Sequence, residues 1–186
     1  MIASSIRKIA LDTETTGVDW ASGDRIIEIA CIEIFPAQST PKTFHALINP
    51  DCEIDESGTA IHGYTWADLY DKPMFSEIAA DFLTFVQGAE LILHNADFDV
   101  GFLNAELARL GLPGIESCCT ITCTLTMARR LYPGQPNSID VLGERLGIST
   151  SSTQSLVMRD AVLVGEIHVA LSGSRIEFQN IMSKVF

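Results

Sequence analysis

The stretch Ile6–Gly17 (IRKIALDTETTG) joins a short apolar run to a group of acidic, hydroxyl and glycine residues. Side chains alternate between the faces of a strand, so a strand ending here directs Asp12 and Glu14 to the same face. Two adjacent carboxylates repel each other, which raises the pKa of each. A divalent cation such as Mg²⁺ relieves this repulsion, because it binds carboxylate oxygens. The small residues Thr15–Gly17 would let a substrate backbone approach closely.

Hydrophobic patterning outward from this stretch predicts one α/β domain with a mixed sheet. Strands are predicted at 6–14, 26–35, 43–48, 91–94 and 117–121, and helices at 74–87, 98–110, 123–132, 138–146 and 156–171. Short links between the first three strands favour an antiparallel meander. The 186 residues suit a single domain.

Composition narrows the function classes. The chain has 24 acidic and 12 basic residues and a net charge of −12, which argues against holding nucleic acid or anionic lipid by bulk charge. No apolar run approaches the roughly 20 residues that span a membrane, and no signal peptide opens the chain, so we expect a cytoplasmic protein that does not bind membranes. The odd number of cysteines, five, predicts free thiols.

Two further acidic signals follow. In Leu91–Phe102 (LILHNADFDVGF) a buried strand leads into a helix start, where Asp97 is expected to cap with Asn95 and Asp99 to project toward the strand ends. Asp160 is a lone acid on an apolar helix, which predicts a partner. Arg159 is adjacent but points about 100° away on a helix of 3.6 residues per turn, so a metal ion is the better candidate.

These segments resemble a known family. The sequences DTETTG at 12–17 and HNADFD at 94–99, with Asp160-Ala161, are similar to the motifs of the DEDD (DnaQ-like) 3′-5′ exonuclease superfamily, and more narrowly to the proofreading epsilon subunits of bacterial DNA polymerase III. The likeness covers about residues 6–171. It implies a ribonuclease H-like fold, a five-stranded mixed sheet flanked by helices, with the exonuclease domain at 1–174 and a tail at 175–186.

The resemblance also implies site residues. The four acids Asp12, Glu14, Asp99 and Asp160 would be catalytic and would hold two Mg²⁺ or Mn²⁺ ions, about 4 Å apart, for hydrolysis of the terminal phosphodiester. The implied substrate-binding residues are Thr13, Thr15, Thr16, Gly17, His62, His94 and Phe102. The implied substrate is a single-stranded or frayed DNA 3′ end, and the implied partner is the polymerase III catalytic subunit. Separately, Gln179–Met182 followed by Val185-Phe186 loosely resembles sliding-clamp peptides, which suggests a clamp as a second partner.

One position departs from the family. Its exonucleases carry a general-base His five residues before the last Asp, or a Tyr four residues before it, and this chain has Ser155 and Leu156 there. Loss of a general base costs about 10²- to 10⁴-fold in rate, so we expect a weakened, metal-dependent 3′-5′ exodeoxyribonuclease.

Two alternatives stay open at this point. The first is an RNA-trimming exonuclease with the same site, since no residue clearly reads the 2′-hydroxyl. The second is a catalytically impaired module that binds polymerase or a nucleic-acid end. Retention of all four acids argues against the second, because unused clustered carboxylates destabilise a fold.

Overall fold

A five-stranded mixed sheet forms the centre of the fold. The structure, a computed structural model, describes residues 6–34, 41–54, 56–148 and 155–173. The strands are β1 (Lys8–Thr15), β2 (Ile26–Ile34), β3 (Thr43–Leu47), β4 (Glu90–Leu93) and β5 (Thr120–Cys123). Their order is β3-β2-β1-β4-β5, with the first three antiparallel and β4 and β5 parallel to β1. The predicted meander and mixed sheet are confirmed.

Seven helices are present among the described residues. They are α1 (Glu56–His62), α2 (Trp66–Leu69), α3 (Phe75–Val86), α4 (Ala96–Arg109), α5 (Thr124–Leu131), α6 (Ile139–Leu146) and α7 (Leu156–Leu171). The last five match predicted helices within two residues at each end. The short helices α1 and α2 were not predicted, because 7 and 4 residues are too few to show an apolar period. The segment predicted as a strand at 117–121 begins as a turn of 3₁₀-helix, Ile115–Ser117.

Alternation along β1 assigns its two faces to different helices. Ile9 and Leu11 belong to the core cluster that α3 and α4 complete, whereas Ala10 belongs to the cluster completed by α7. Gly165 brings α7 close to the sheet, because a Cβ there would lie 3.4 Å from the Cβ of Ala10. The sheet is therefore covered on both sides, and α4 and α7 reach the end of β1 from opposite faces.

Several sequence predictions concern other parts of the chain. All five cysteines are free, as predicted. No helix in the described ranges is long and apolar enough to cross a membrane. The tail at 175–186, with its clamp-like segment, lies outside the described residues, so the boundary at 174 stays a prediction.

Candidate active site

The end of β1 presents acids on one face and a hydroxyl on the other. Asp12 and Glu14 follow Ala10 on the α7 side, as the strand period predicts, and both are half-buried. Thr13 lies on the opposite, α4 side, and is buried. A register shift between Glu14 and Thr15 interrupts the pairing with β2. Such irregularities often accompany functional sites, because they redirect side chains.

Asp99 reaches the strand end from the first turn of α4. Its carboxylate is buried, with 3% of the residue exposed, and its Oδ1 accepts a 2.7 Å hydrogen bond from the Thr13 hydroxyl. Burial raises the pKa of Asp99 to about 7, although the Thr13 hydrogen bond opposes the shift. The hydrogen bond fixes the position of α4 relative to β1.

The start of α4 differs from the prediction in one respect. Asn95 occupies the N-cap position, but its backbone is left-handed (φ 62°, ψ 51°) and its side chain makes no capping hydrogen bond. Asp97 is exposed on the first turn. The predicted capping by Asp97 with Asn95 is therefore wrong. A left-handed Asn costs little, because its short polar side chain tolerates this conformation better than most.

Asp160 has a protein partner, which corrects the expectation from helix geometry. The Arg159 guanidinium donates from Nε and Nη2 to Oδ1 of Asp160, at 2.7 and 2.6 Å, and its Nη2 lies 3.3 Å from Asp140 Oδ1. The 100° offset describes only where a side chain leaves the helix. The long stem of an arginine can fold back along the surface and bring its planar head to a neighbour.

The four acids lie within electrostatic reach of one another. Burial raises the pKa of Asp12 well above its usual range, and the charges of Asp99, Asp160 and Glu14 raise it further. Burial, followed by the charge of Glu28, raises the pKa of Glu14 to about 7. Burial also raises the pKa of Asp160, against the opposing effect of the Arg159 guanidinium. The four carboxyl groups therefore do not readily ionise all together.

The carboxylate oxygens of the four acids are suitable ligands for a hard divalent cation. Among the described residues, no three His, Cys, Asp or Glu side chains converge closely enough to enclose a metal ion as they stand. Carboxylate oxygens are nevertheless the ligands that Mg²⁺ and Mn²⁺ prefer, and a cation relieves the repulsion among clustered acids. Asp160 would have to exchange the Arg159 guanidinium for the ion.

His62 lies beside this end of β1 with one unpaired ring nitrogen. Its Nδ1 accepts a hydrogen bond from the Tyr64 backbone N–H at 3.1 Å, so in the neutral ring the proton is on Nε2. Nε2 is buried and has no partner within the described chain. Burial lowers the pKa of His62, although the charge of Glu28 opposes the shift. In this tautomer Nε2 can donate a hydrogen bond but cannot accept a proton.

The threonine hydroxyls expected to contact substrate are occupied within the protein. Thr13 donates to Asp99, Thr15 to the Gly17 carbonyl oxygen at 2.6 Å, and Thr16 to Asp24 Oδ1 at 3.2 Å. A Cβ added at Gly17 would lie 2.3 Å from Asp24 Oδ2. The space that Gly17 leaves therefore holds the Asp24 carboxylate, and these residues shape the loop.

The expectation for Phe102 is wrong, because its ring is fully buried in the core with 0% exposed. Phe98, one turn earlier on α4, is only half-buried, and its ring centroid lies 4.9 Å from that of Phe102. Phe98 is therefore the aromatic side chain that this helix offers to a ligand. Phe98 lies within the sequence HNADFD, one helical turn before Phe102.

His94 supports the same edge of the sheet. Thr124 donates its hydroxyl proton to the Leu93 carbonyl oxygen at 3.0 Å and lies 2.9 Å from His94 Nδ1. Burial lowers the pKa of His94, the Asn137 backbone raises it, and the Arg129 guanidinium lowers it.

Ser155 forms the N-cap position of α7, and its Oγ is buried without a hydrogen-bond partner among the described residues.

Sequence reasoning did not identify Glu28 as a neighbour of the acidic site. Glu28 of β2 is paired with Glu14 across the sheet, is 1% exposed, and has one oxygen 2.6 Å from His45 Nε2. A charged residue inside an otherwise apolar strand was the available signal.

Comparison with known proteins finds relatives over most of the chain. The exonuclease (RNase T) family profile matches residues 9–153. The DNA polymerase III epsilon subunit of Rickettsia typhi is 45% identical over 176 residues, covering 92% of this chain and 76% of the relative. The same subunit of Pasteurella multocida is 41% identical over 175 residues, covering 91% of this chain and 69% of the relative.

Two solved structures share the fold. Exonuclease X in complex with 5′ overhanging duplex DNA has a TM-score of 0.66 and 23% identity, covering 95% of this chain and 98% of its own. A 3′-exonuclease with a histone mRNA stem-loop has a TM-score of 0.73 and 14% identity, covering 91% of this chain and 65% of its own. Fold, acidic site and sequence agree, and the chain belongs to the exonuclease family.

Proposed function

We propose that this protein is a metal-dependent 3′-5′ exonuclease that removes nucleotides from DNA 3′ ends, in proofreading or repair, at a reduced rate. The observation that carries the proposal is the cluster of Asp12, Glu14, Asp99 and Asp160 at the end of β1, where burial raises all four pKa values and the charges of the other acids raise those of Asp12 and Glu14 further. Relatives at 36–45% identity are DNA polymerase III epsilon subunits, which supports DNA as substrate.

The four acids would hold two Mg²⁺ or Mn²⁺ ions. When bound, such ions activate the attacking water and stabilise charge on the leaving 3′ oxygen. Glu14 and Asp12 present their oxygens from the strand, Asp99 from α4 and Asp160 from α7. Because the cluster comes from three elements, packing of both helices on the sheet sets its geometry.

His62 would act as a hydrogen-bond donor to the terminal nucleotide. Its Nε2 carries the proton, is buried and lacks a protein partner. A buried donor without a partner is costly unless a ligand accepts from it. The same tautomer prevents His62 from acting as the general base that Ser155 does not supply.

The reduced rate follows from Ser155. A serine hydroxyl is too weak a base to accept the proton that a family His accepts, so we expect a loss of about 10²- to 10⁴-fold. The buried Oγ would at most orient a water molecule. Retention of the four acids preserves metal-dependent hydrolysis.

The test follows release of mononucleotides from single-stranded DNA labelled near its 3′ end, with Mg²⁺ or Mn²⁺. We expect slow hydrolysis by the wild type, a gain of about 10²- to 10⁴-fold in Ser155→His, and loss of hydrolysis in Asp12→Ala. Asp97→Ala is the matched control, because Asp97 is an exposed acid on the first turn of α4. Equal activity in Asp12→Ala and wild type, with no gain in Ser155→His, would overturn the proposal. Faster digestion of an RNA of the same sequence would assign the site to RNA.

A further inference from the structure

A polar pocket lies beside the acidic site. It has a volume of about 350 Å³ and is lined by His94, Asn95, Leu125, Arg129, Gln135, Asn137 and Ser138. It follows the carboxyl ends of β4 and β5, the edge of a parallel arrangement where ligands usually bind. Asn95 is four residues, or one helical turn of about 6 Å, from Asp99. The pocket is therefore next to the candidate catalytic acids.

The charge of this pocket is opposite to that of its surroundings. None of its lining residues is acidic, although the chain carries 24 acids and a net charge of −12. Arg129 is exposed, and in the described part of the chain its guanidinium has no hydrogen bond or ion pair. Arg129 and His94 line the same pocket, so the pocket carries the positive charge of the guanidinium. An unpaired guanidinium is suited to bind a phosphate through two parallel hydrogen bonds.

The wall of the pocket is held in place from behind. Arg145 donates to Asn137 Oδ1 at 2.9 Å and to the Pro136 carbonyl oxygen at 2.7 Å, and its guanidinium lies 4.7 Å from the Tyr132 ring centroid. Asn137 in turn donates to the carbonyl oxygens of Tyr132 and Gln135. Bracing of this kind preorganises a binding site, because little freedom is lost when a ligand arrives.

The opposite flank of the acidic site offers no comparable place for a phosphate. The loop after β1 carries the carboxylates of Asp19 and Asp24. Asp24 accepts hydrogen bonds from the Thr16 hydroxyl and the Asp19 backbone N–H, and Asp19 accepts one from the Ser22 hydroxyl. Arg25 at the end of that loop is already paired with Glu106 at 2.7 and 2.9 Å. A strand whose 3′ end lies at the acids is therefore repelled on that side and attracted on the side of Arg129.

We infer that the Arg129 pocket binds a backbone phosphate of the strand being degraded, on the 5′ side of the scissile bond. The inference rests on the proposed function, because it takes the acids as the place where the 3′ end is cut. The ligand class is an internal phosphodiester of single-stranded DNA. Recognition is through backbone charge, so it is independent of base sequence.

The experiment compares Arg129→Gln with the matched control Arg130→Gln. Arg130 is the adjacent, exposed arginine on α5, and it does not line the pocket. The substrates are a single-stranded oligonucleotide of six residues and the 5′-p-nitrophenyl ester of TMP, which has one phosphodiester and no internal phosphate. In Arg129→Gln, we expect the fold-increase in KM for the oligonucleotide to be about ten times the fold-increase for the ester. In Arg130→Gln, KM for the oligonucleotide should stay at the wild-type value.

Neutral methylphosphonate linkages locate the phosphate. Each oligonucleotide carries one such linkage in the cut strand. At one position of the linkage, the wild type should bind the strand more weakly, whereas Arg129→Gln should bind it as well as it binds the unmodified strand. The same scan on the complementary strand of a duplex should have no effect. Equal behaviour of the two arginine variants, or an effect confined to the complementary strand, would overturn the inference. Cleavage of the ester by the wild type tests the proposed hydrolysis separately, so failure of the pocket and failure of the function are distinguishable.

Discussion

Arg159 is the cation that balances the acidic cluster when no other cation is bound. Both of its bonds to Asp160 use the same carboxylate oxygen, and its charge opposes the rise in the pKa values of Asp12 and Glu14. A metal ion at this site must therefore compete with the guanidinium. The arginine stabilises the metal-free protein and weakens metal binding at the same time.

We predict that Arg159→Leu binds Mn²⁺ more tightly than the wild type. A hydrogen bond to a charged group contributes about 1.5–3 kcal/mol, and discounting for the exposure of this side chain leaves a gain of roughly tenfold in affinity. Isothermal titration calorimetry of the metal-free protein measures this affinity, with Arg130→Leu as the control. Unchanged or weaker Mn²⁺ binding in Arg159→Leu would show that the ion pair does not oppose the metal.

Asp99 gives the metal-free protein a distinctive pH dependence. Its pKa is raised to about 7 in the folded state by burial, from 3.8 in the unfolded chain. Between pH 3.8 and 7 the folded state binds more protons than the unfolded chain. The contribution of Asp99 to the stability of the fold is therefore full below pH 3.8 and is lost as the pH rises toward 7.

We therefore predict that Asp99→Asn loses less stability than the wild type as the pH rises from 4 to 7. Asn has a similar shape, can accept the Thr13 hydrogen bond through Oδ1, and does not ionise. In EDTA, the Tm of Asp99→Asn should exceed that of the wild type by a margin that grows from pH 4 to pH 7. With saturating Mn²⁺, the wild type should have the higher Tm. A difference that is constant over this range would contradict the raised pKa of Asp99.

At the scale of elements, α4 is fastened to the sheet by a buried ion pair. Arg25, just before β2, donates from Nε and Nη2 to both oxygens of Glu106, which is 2% exposed, and from Nη1 to the Pro50 carbonyl oxygen at 2.9 Å. Because α4 also carries Asp99, this pair helps to hold an active-site acid in position from the far end of the helix.

We predict that Glu106→Gln lowers the free energy of unfolding by about 3–5 kcal/mol, since it leaves a partly buried guanidinium without its counter-charge. The double variant Arg25→Met/Glu106→Leu should recover most of this loss, because apolar side chains of similar volume need no counter-charge. Urea denaturation of both variants measures the effect. A double variant as unstable as the single one would mean that the pair contributes net stability beyond avoiding an unpaired charge.

The same scale shows what the sequence could predict. Period and polarity located all five strands and the five longer helices, because burial on both faces of the sheet imposes long apolar patterns. Strand alternation places Asp12 and Glu14 on one face, and the β4–α4 connection places Asp99 at the start of the next helix, whereas only the family resemblance groups Asp160 with them. Patterns do not determine how a long side chain turns, so the bond from Arg159 to Asp160 was missed. They also do not separate Phe98 from Phe102, which share a helix face.

For the whole molecule, the distribution of charge sets how DNA is held. The net charge of −12 and the acids at the end of β1 argue against an extended basic groove, while the Arg129 pocket offers one cation. Affinity should then come from the metal-bound 3′ end and a single phosphate contact. We expect such limited contact with the strand to give low processivity.

We predict a weak salt dependence for binding of a single-stranded oligonucleotide at saturating Mn²⁺. One phosphate contact on a single strand gives a slope of about −0.7 in a plot of log K against log salt concentration, so the wild-type slope should have a magnitude near 1 or below. The Arg129→Gln variant should bring it close to zero, and Arg130→Gln should leave it unchanged. Fluorescence anisotropy between 50 and 300 mM KCl, roughly the range over which such slopes are resolved, measures both. A wild-type slope of about −3 or steeper would require several phosphate contacts and would contradict a grip confined to one end and one pocket.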